Sequence, residues 1–132
     1  MEGFFIGIDF DGTVVTHEYP MVGRDIGAVP VLKRLVREGY KLILNTMRDS
    51  KNGTLQDAIN WFNENNIPLC GINTTPGQDT WTDSPKAHCQ LYIDDCGINV
   101  PKKFDYVTLR HYVDWEKIEE ILEKEGYFDD DD

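Results

Sequence analysis

Apolar and polar residues alternate in blocks along the chain, and the blocks predict its elements. Phe4-Phe5-Ile6-Gly7-Ile8 is a short apolar run that stops at a carboxylate–glycine cluster, which predicts a buried strand. A polar stretch with Gly and Pro follows over residues 16–27 and predicts a loop. Ile26, Val29, Leu32, Leu35 and Val36 then recur at helical spacing, with Pro30 near the first turn and Gly39 at the stop. Lys41-Leu42-Ile43-Leu44-Asn45 predicts a second strand. Thr54 is placed to cap a helix whose apolar face is Leu55, Ala58, Ile59 and Phe62. Residues 67–72 predict a third strand, interrupted by Pro68 and Gly71. Ser84-Pro85 reads as a cap followed by proline at the first position of a short helix. Gln90-Leu91-Tyr92-Ile93 predicts a fourth strand and Tyr106-Val107-Thr108-Leu109 a fifth. Asp114 caps a last helix with Trp115, Ile118, Ile121 and Leu122 on one face.

Strands alternating with helices at this spacing predict an α/β fold: a three-layer, Rossmann-like domain with a mainly parallel five-stranded sheet. The expected organisation is one domain over residues 1–128 and an acidic, disordered tail over 129–132, four aspartates with no apolar partner. In such a sheet ligands bind outside the carboxyl ends of the strands. Three of those ends carry reactive groups. Strand one ends in Asp9-Phe10-Asp11-Gly12-Thr13, strand two in Thr46-Met47-Arg48, and strand four in Asp94-Asp95. Lys86 lies just upstream of strand four. Four carboxylates on one edge repel one another and raise each other's pKa values. A hard divalent cation resolves this, and all-oxygen ligation favours Mg²⁺ over zinc.

Charge sharpens the picture. The chain has 132 residues, 13 Lys+Arg against 24 Asp+Glu, and a net charge of −11. Four of those charges belong to the tail and four to Asp9, Asp11, Asp94 and Asp95, which leaves −3 for the remainder. The scaffold is near neutral, with one acidic edge and one acidic end. That balance argues against non-specific nucleic-acid binding and against docking on anionic lipid. No apolar run approaches the ~18 residues of a membrane span. Glu2 stands where a signal peptide carries a base, and Cys70, Cys89 and Cys96 form no CxxC pair. A reduced, cytoplasmic location is expected.

Asp9-Phe10-Asp11-Gly12-Thr13-Val14, Thr46, Lys86 and Asp94-Asp95, in that order, resemble the four motifs of the haloacid dehalogenase (HAD) superfamily. The resemblance runs from residue 4 to about residue 110. Ser84-Pro85-Lys86-Ala87 followed by Tyr92-Ile93-Asp94-Asp95 is most similar to small bacterial and phage HAD hydrolases. The resemblance implies an Mg²⁺-dependent phosphomonoester hydrolase. Asp9 would attack phosphorus to form an aspartyl-phosphate, and Asp11 would protonate the leaving oxygen and then activate water. Asp9, the Asp11 backbone carbonyl and the Asp94-Asp95 pair would hold the metal, with Asp95 the expected direct ligand. Thr46 would hydrogen-bond the phosphoryl group, and Lys86 would pair with its charge and with Asp9. Superfamily caps are inserted after strand one or strand three. Here those slots hold about 12 and about 10 residues, too few for a domain, so an open, capless site is expected. A contact between copies could take a cap's place.

The remaining candidates are less specific. Arg48 could reach a substrate phosphate or carboxylate, or cap the following helix. His17 and Tyr19 lie in the loop that overhangs the site in the family and are candidate substrate contacts. His88, Cys89 and Cys96 fit no standard zinc spacing, and Trp81 is a candidate ligand platform. The expected substrate is a phosphorylated one. One alternative is a nucleotide or polynucleotide-end phosphatase, for which Lys102, Lys103 and Arg110 supply the local basic group. Another is a phospho-acceptor module of receiver type. Motif order opposes the latter, because a receiver places its acidic pair, not its phosphorylated Asp, after strand one.

Overall fold

The computed structural model describes residues 3–129. Four parallel strands form the main sheet in the order β3-β2-β1-β4: β1 Phe5–Ile8, β2 Lys41–Leu44, β3 Gly71–Ile72 and β4 Leu91–Ile93. Helix α1, Ala28–Arg37, joins β1 to β2, and α2, Thr54–Glu64, joins β2 to β3. A separate antiparallel hairpin, β5 Lys102–Asp105 and β6 Arg110–Val113, precedes α3, Trp115–Lys124. The fold is thus α/β, with a parallel four-stranded sheet, a small antiparallel sheet, three α-helices and two 3₁₀ turns among the described residues.

The register explains the layers. Ile6, Leu42 and Leu91 share one rung, as do Ile8, Leu44 and Ile93. These residues point to one side and pack with Leu32 and Leu35 of α1, Ala58 and Phe62 of α2, and Trp115, Ile118 and Leu122 of α3. Both β-α-β crossovers step in the same direction across the sheet, so right-handedness places α1 and α2 on the same face. The opposite face is built on the rung Gly71–Ile43–Gly7–Tyr92. Gly7 is required there: a Cβ would lie 2.9 Å from the Tyr92 ring. Cys89 Sγ lies 3.2 Å from the same position, and the chain over residues 73–90 holds no α-helix, only a 3₁₀ turn at Gln78–Thr80.

Several expected elements are corrected. The short helix at Ser84-Pro85 does not form, because Gln78 takes its hydrogen bonds. Gln78 is buried; its Nε2 donates to the carbonyls of Lys86 (2.6 Å) and Ser84 (3.4 Å). The N–H of His88, which a helix would send to Ser84, goes to Gln78 Oε1, and that of Gln90 goes to Phe5. The fifth strand is a turn. Asp105 accepts from the N–H groups of Val107 and Thr108 and from the Thr108 hydroxyl (2.7 Å), so 106–109 closes a hairpin. The five-stranded parallel sheet is therefore four-stranded. Finally, Gly53 rather than Thr54 stands at the cap of α2, with the Thr54 hydroxyl turned back to Asp49 and Asn52. The third strand is also shorter than expected, and Ile121 on α3 is exposed.

Asp114 does cap α3, accepting from the Lys117 N–H at 3.3 Å, a contact worth about 1 kcal/mol. Of the expected acidic tail only Asp129 is described, its N–H donating to Glu38 Oε1 (2.9 Å); 130–132 lie outside the described residues. No helix among the described residues is long and apolar enough to cross a membrane.

Candidate active site

The strand order reverses at β1: β2 and β3 lie on one side and β4 on the other. A crevice opens at the carboxyl ends of such a switch point. There Asp9, Asp11, His17, Tyr19, Thr46, Arg48 and Asp95 line a single cavity of about 370 Å³, together with Met47, Cys96 and Arg110. Asp94 lines an adjoining cleft with Asp9, Asn45 and Thr46. The topology thus gathers residues scattered across the sequence.

The turn after β1 is tightly specified. Asp9 continues the strand, its N–H bonded to the Ile93 carbonyl at 3.1 Å. Thr13 donates to Asp9 Oδ2 at 2.9 Å. Gly12, at φ +75°, leaves no room for a side chain: a Cβ would stand 2.5 Å from Asp95 Oδ2. Asp95 is therefore seated against the turn that carries Asp9. Two anchors fix this turn from behind, Val113 N–H to the Gly12 carbonyl (2.9 Å) and Trp115 Nε1 to the Thr13 carbonyl (2.6 Å).

Burial pushes the Asp9 carboxyl up to about 7, against the bonds from Thr13 and Phe10, and the neighbouring Asp95 and Asp11 push the same way. Asp11 has a different environment. Arg48 grips it bidentately, Nε to Oδ2 at 2.8 Å and Nη2 to Oδ1 at 2.7 Å. The remaining Arg48 donors go to the carbonyls of Met21 (2.8 Å), Thr54 (3.1 Å) and Pro20 (3.3 Å). Its guanidinium lies between the Phe10 and Tyr19 rings, at 4.8 and 5.3 Å. With its side chain 1% exposed, Arg48 has no donor left for a substrate. It neither caps α2 through its own N–H nor reads a ligand; it fixes Asp11 and ties residues 20–21 to the site.

Thr46 is held by Asn73, whose Oδ1 accepts from the Thr46 N–H at 2.8 Å, and its hydroxyl accepts from the Arg48 N–H at 3.1 Å. Lys86 is not brought to the carboxylates. It is exposed, its Nζ 5.2 Å above the Tyr92 ring, and it lines a separate cavity with Gln78, Trp81 and His88. Cys89 belongs to that cavity and Cys96 to the acidic one, so His88, Cys89 and Cys96 do not form a group.

Mg²⁺ fits this donor set in a restricted way. Among the described residues no three His, Cys, Asp and Glu side chains are gathered as a ready cage. The Asp11 carboxylate is committed to Arg48, and Asp94 Oδ1 accepts from the N–H groups of Cys96 and Gly97. The carboxylates of Asp9 and Asp95 remain, the latter with only the weak Cys96 thiol donor at 3.3 Å on Oδ1, together with the Asp11 backbone carbonyl. Mg²⁺ is commonly held by one or two carboxylates and completed by water and phosphate oxygens. The unrelieved repulsion at Asp9 is what a cation there would remove.

Sequence reasoning named Arg110 only within a basic group with Lys102 and Lys103, without placing it in the cavity, and missed Asn73 as the support of Thr46. Arg110 would have been found had 106–109 been read as a turn, since the strand after it then returns to the site.

Neither a protein-family model nor a curated protein matches the sequence. Among solved structures, a conserved protein from Bacteroides thetaiotaomicron superposes with a TM-score of 0.74 and 31% sequence identity. The match covers 92% of this chain and 91% of that one. Identity at that level over nearly the whole of both chains means that this chain belongs to the same family as the conserved Bacteroides protein.

Proposed function

We propose that the protein is a Mg²⁺-dependent phosphomonoester hydrolase of the HAD type, with Asp9 as nucleophile. The observation that carries this reading is a desolvated carboxylate at the end of the central strand, beside Asp95 and in one cavity with Thr46. Thr13 holds one Asp9 oxygen, fixing the rotamer and leaving the other to attack phosphorus. As the Asp9–phosphorus bond forms, the bond to the leaving oxygen breaks and that oxygen takes a proton from Asp11. Water then attacks phosphorus, Asp11 accepts its proton, and the aspartyl oxygen is released. Asp11 must exchange its contacts with Arg48 for the reacting oxygens in both half-reactions, and must take up a proton from solvent before the first. Mg²⁺, held by Asp9, Asp95 and the Asp11 carbonyl, would supply charge neutralisation for the phosphoryl oxygens. Thr46 donates to one of those oxygens. Lys86 has no part in these steps as placed.

The test is release of inorganic phosphate from p-nitrophenyl phosphate and a nucleotide panel with Mg²⁺. Turnover is expected, and its survival in Asp9→Asn would remove the proposed nucleophile. The Arg48–Asp11 grip favours one further reading, a phospho-acceptor that turns over slowly because its acid–base group is held. Treatment with acetyl phosphate separates the two: a stable acyl-phosphate at Asp9 supports the acceptor, rapid loss the hydrolase.

A further inference from the structure

The cavity must admit an anion although three carboxylates face it, so its cations decide what it accepts. Arg48 is fully spent. Lys102 donates its Nζ to the Asp95 carbonyl at 3.3 Å. Arg110, the first residue of β6, lines the cavity with an exposed guanidinium that has no ion pair or side-chain hydrogen bond among the described residues. Its cross-strand neighbour Asp105 does not hold it, because that carboxylate is occupied by Arg24, Thr108 and Val107. The backbone beneath Arg110 is nevertheless fixed, by the hairpin register and by the Val113–Gly12 bond. A free, planar donor fork on a fixed base, at the wall of an acidic cavity, is suited to a second oxyanion.

Resting on the hydrolase reading, we infer that Arg110 is a specificity-determining residue. It binds a second anionic group, phosphate or carboxylate, on the leaving group of the phosphomonoester. Tyr19 and the almost fully exposed Met47 supply apolar wall for the part of the substrate in between. A small bisphosphate and a 5′-phosphorylated nucleic-acid end share this chemistry, since the next phosphodiester of a strand is also a second oxyanion.

The test compares matched substrates with Mg²⁺: phenyl phosphate against 4-carboxyphenyl phosphate, and adenosine 5′-monophosphate against both adenosine 3′,5′-bisphosphate and a 5′-phosphorylated dinucleotide. The wild type is expected to favour the second member of a pair by about tenfold or more in kcat/KM, the scale of a charge-assisted contact. Arg110→Ala should reduce that ratio to near one, Arg110→Lys should keep part of it, and Lys124→Ala, in the last turn of α3, should keep it whole. Raising the salt concentration should narrow the wild-type ratio and leave that of Arg110→Ala unmoved. Preference for the dinucleotide alone identifies a strand end; preference for the bisphosphate and the carboxylate identifies a small molecule. Turnover of phenyl phosphate with no preference overturns the inference and spares the hydrolase reading. A preference that persists in Arg110→Ala also overturns it. If nothing is hydrolysed, the hydrolase reading fails, and calorimetric binding of the bisphosphate decides for Arg110. Binding weakened about tenfold in Arg110→Ala supports its role, whereas equal or absent binding contradicts it.

Discussion

Asp9 and Asp11 stand two residues apart on one turn, yet the protein treats them in opposite ways. Asp11 is compensated from within: both its oxygens rest on a buried guanidinium. Asp9 has the Thr13 hydroxyl, the Phe10 N–H and a neighbouring carboxylate, and burial pushes it up to about 7. The first arrangement is complete without a ligand. The second is relieved only when something positive arrives. The turn therefore separates a settled charge from an unsettled one, and the unsettled one is where chemistry is expected.

The largest expected effect removes the unsettled charge. Asp9→Asn should lower phosphate release by about a thousandfold or more, because the amide oxygen cannot replace the nucleophile. Next is the settled half. Arg48→Met should cost about 3–5 kcal/mol in denaturant unfolding, since it leaves Asp11 without its partner. Adding Asp11→Asn to that variant should recover part of the loss, and the double-mutant cycle then measures the compensation directly.

The third prediction concerns pH. The Asp9 carboxyl titrates higher in the fold than in the unfolded chain, so between about pH 4 and 7 the folded state binds more protons. Its contribution is fully present below the ordinary carboxylate range and is lost as pH rises through about 7. Metal-free wild type should lose stability relative to Asp9→Asn between pH 5 and 8, on the order of a few kcal/mol. Mg²⁺ should restore it at pH 8. A flat difference, or no response to Mg²⁺, would mean that Asp9 is as settled as Asp11. The smallest effect tests the opposite side of the sheet. Gln78→Ala should cost about 1–3 kcal/mol by freeing the carbonyls of Ser84 and Lys86, with phosphate release unchanged.

Residues whose neighbours follow from strand order were legible. β1, β2, β4 and the three helices follow from apolar periodicity, and once the strands are parallel, Asp9, Thr46 and Asp95 must meet at one edge. What was not legible depended on competition for hydrogen bonds across sequence. Ser84-Pro85 has good helix-start chemistry, yet a glutamine six residues upstream occupies the carbonyls that the helix needs. Tyr106-Val107-Thr108-Leu109 has strand composition, yet the single carboxylate of Asp105 folds it into a turn. Those two errors carried through to the site. The first concealed that Lys86 faces Tyr92; the second concealed that Arg110 faces the cavity. Arg48 was visible as a candidate, but its commitment to Asp11 depends on loop carbonyls at Pro20 and Met21 that no local pattern announces.

The unsettled charge is tested most directly by trapping. A single turnover of p-nitrophenyl phosphate with Mg²⁺, quenched into borohydride, should reduce an aspartyl-phosphate to homoserine at position 9, located by peptide mass spectrometry. Homoserine at position 9, and none at positions 11 or 95, is the predicted result. Phosphate release with Asp9 unmodified, or with the label on another residue, would contradict it.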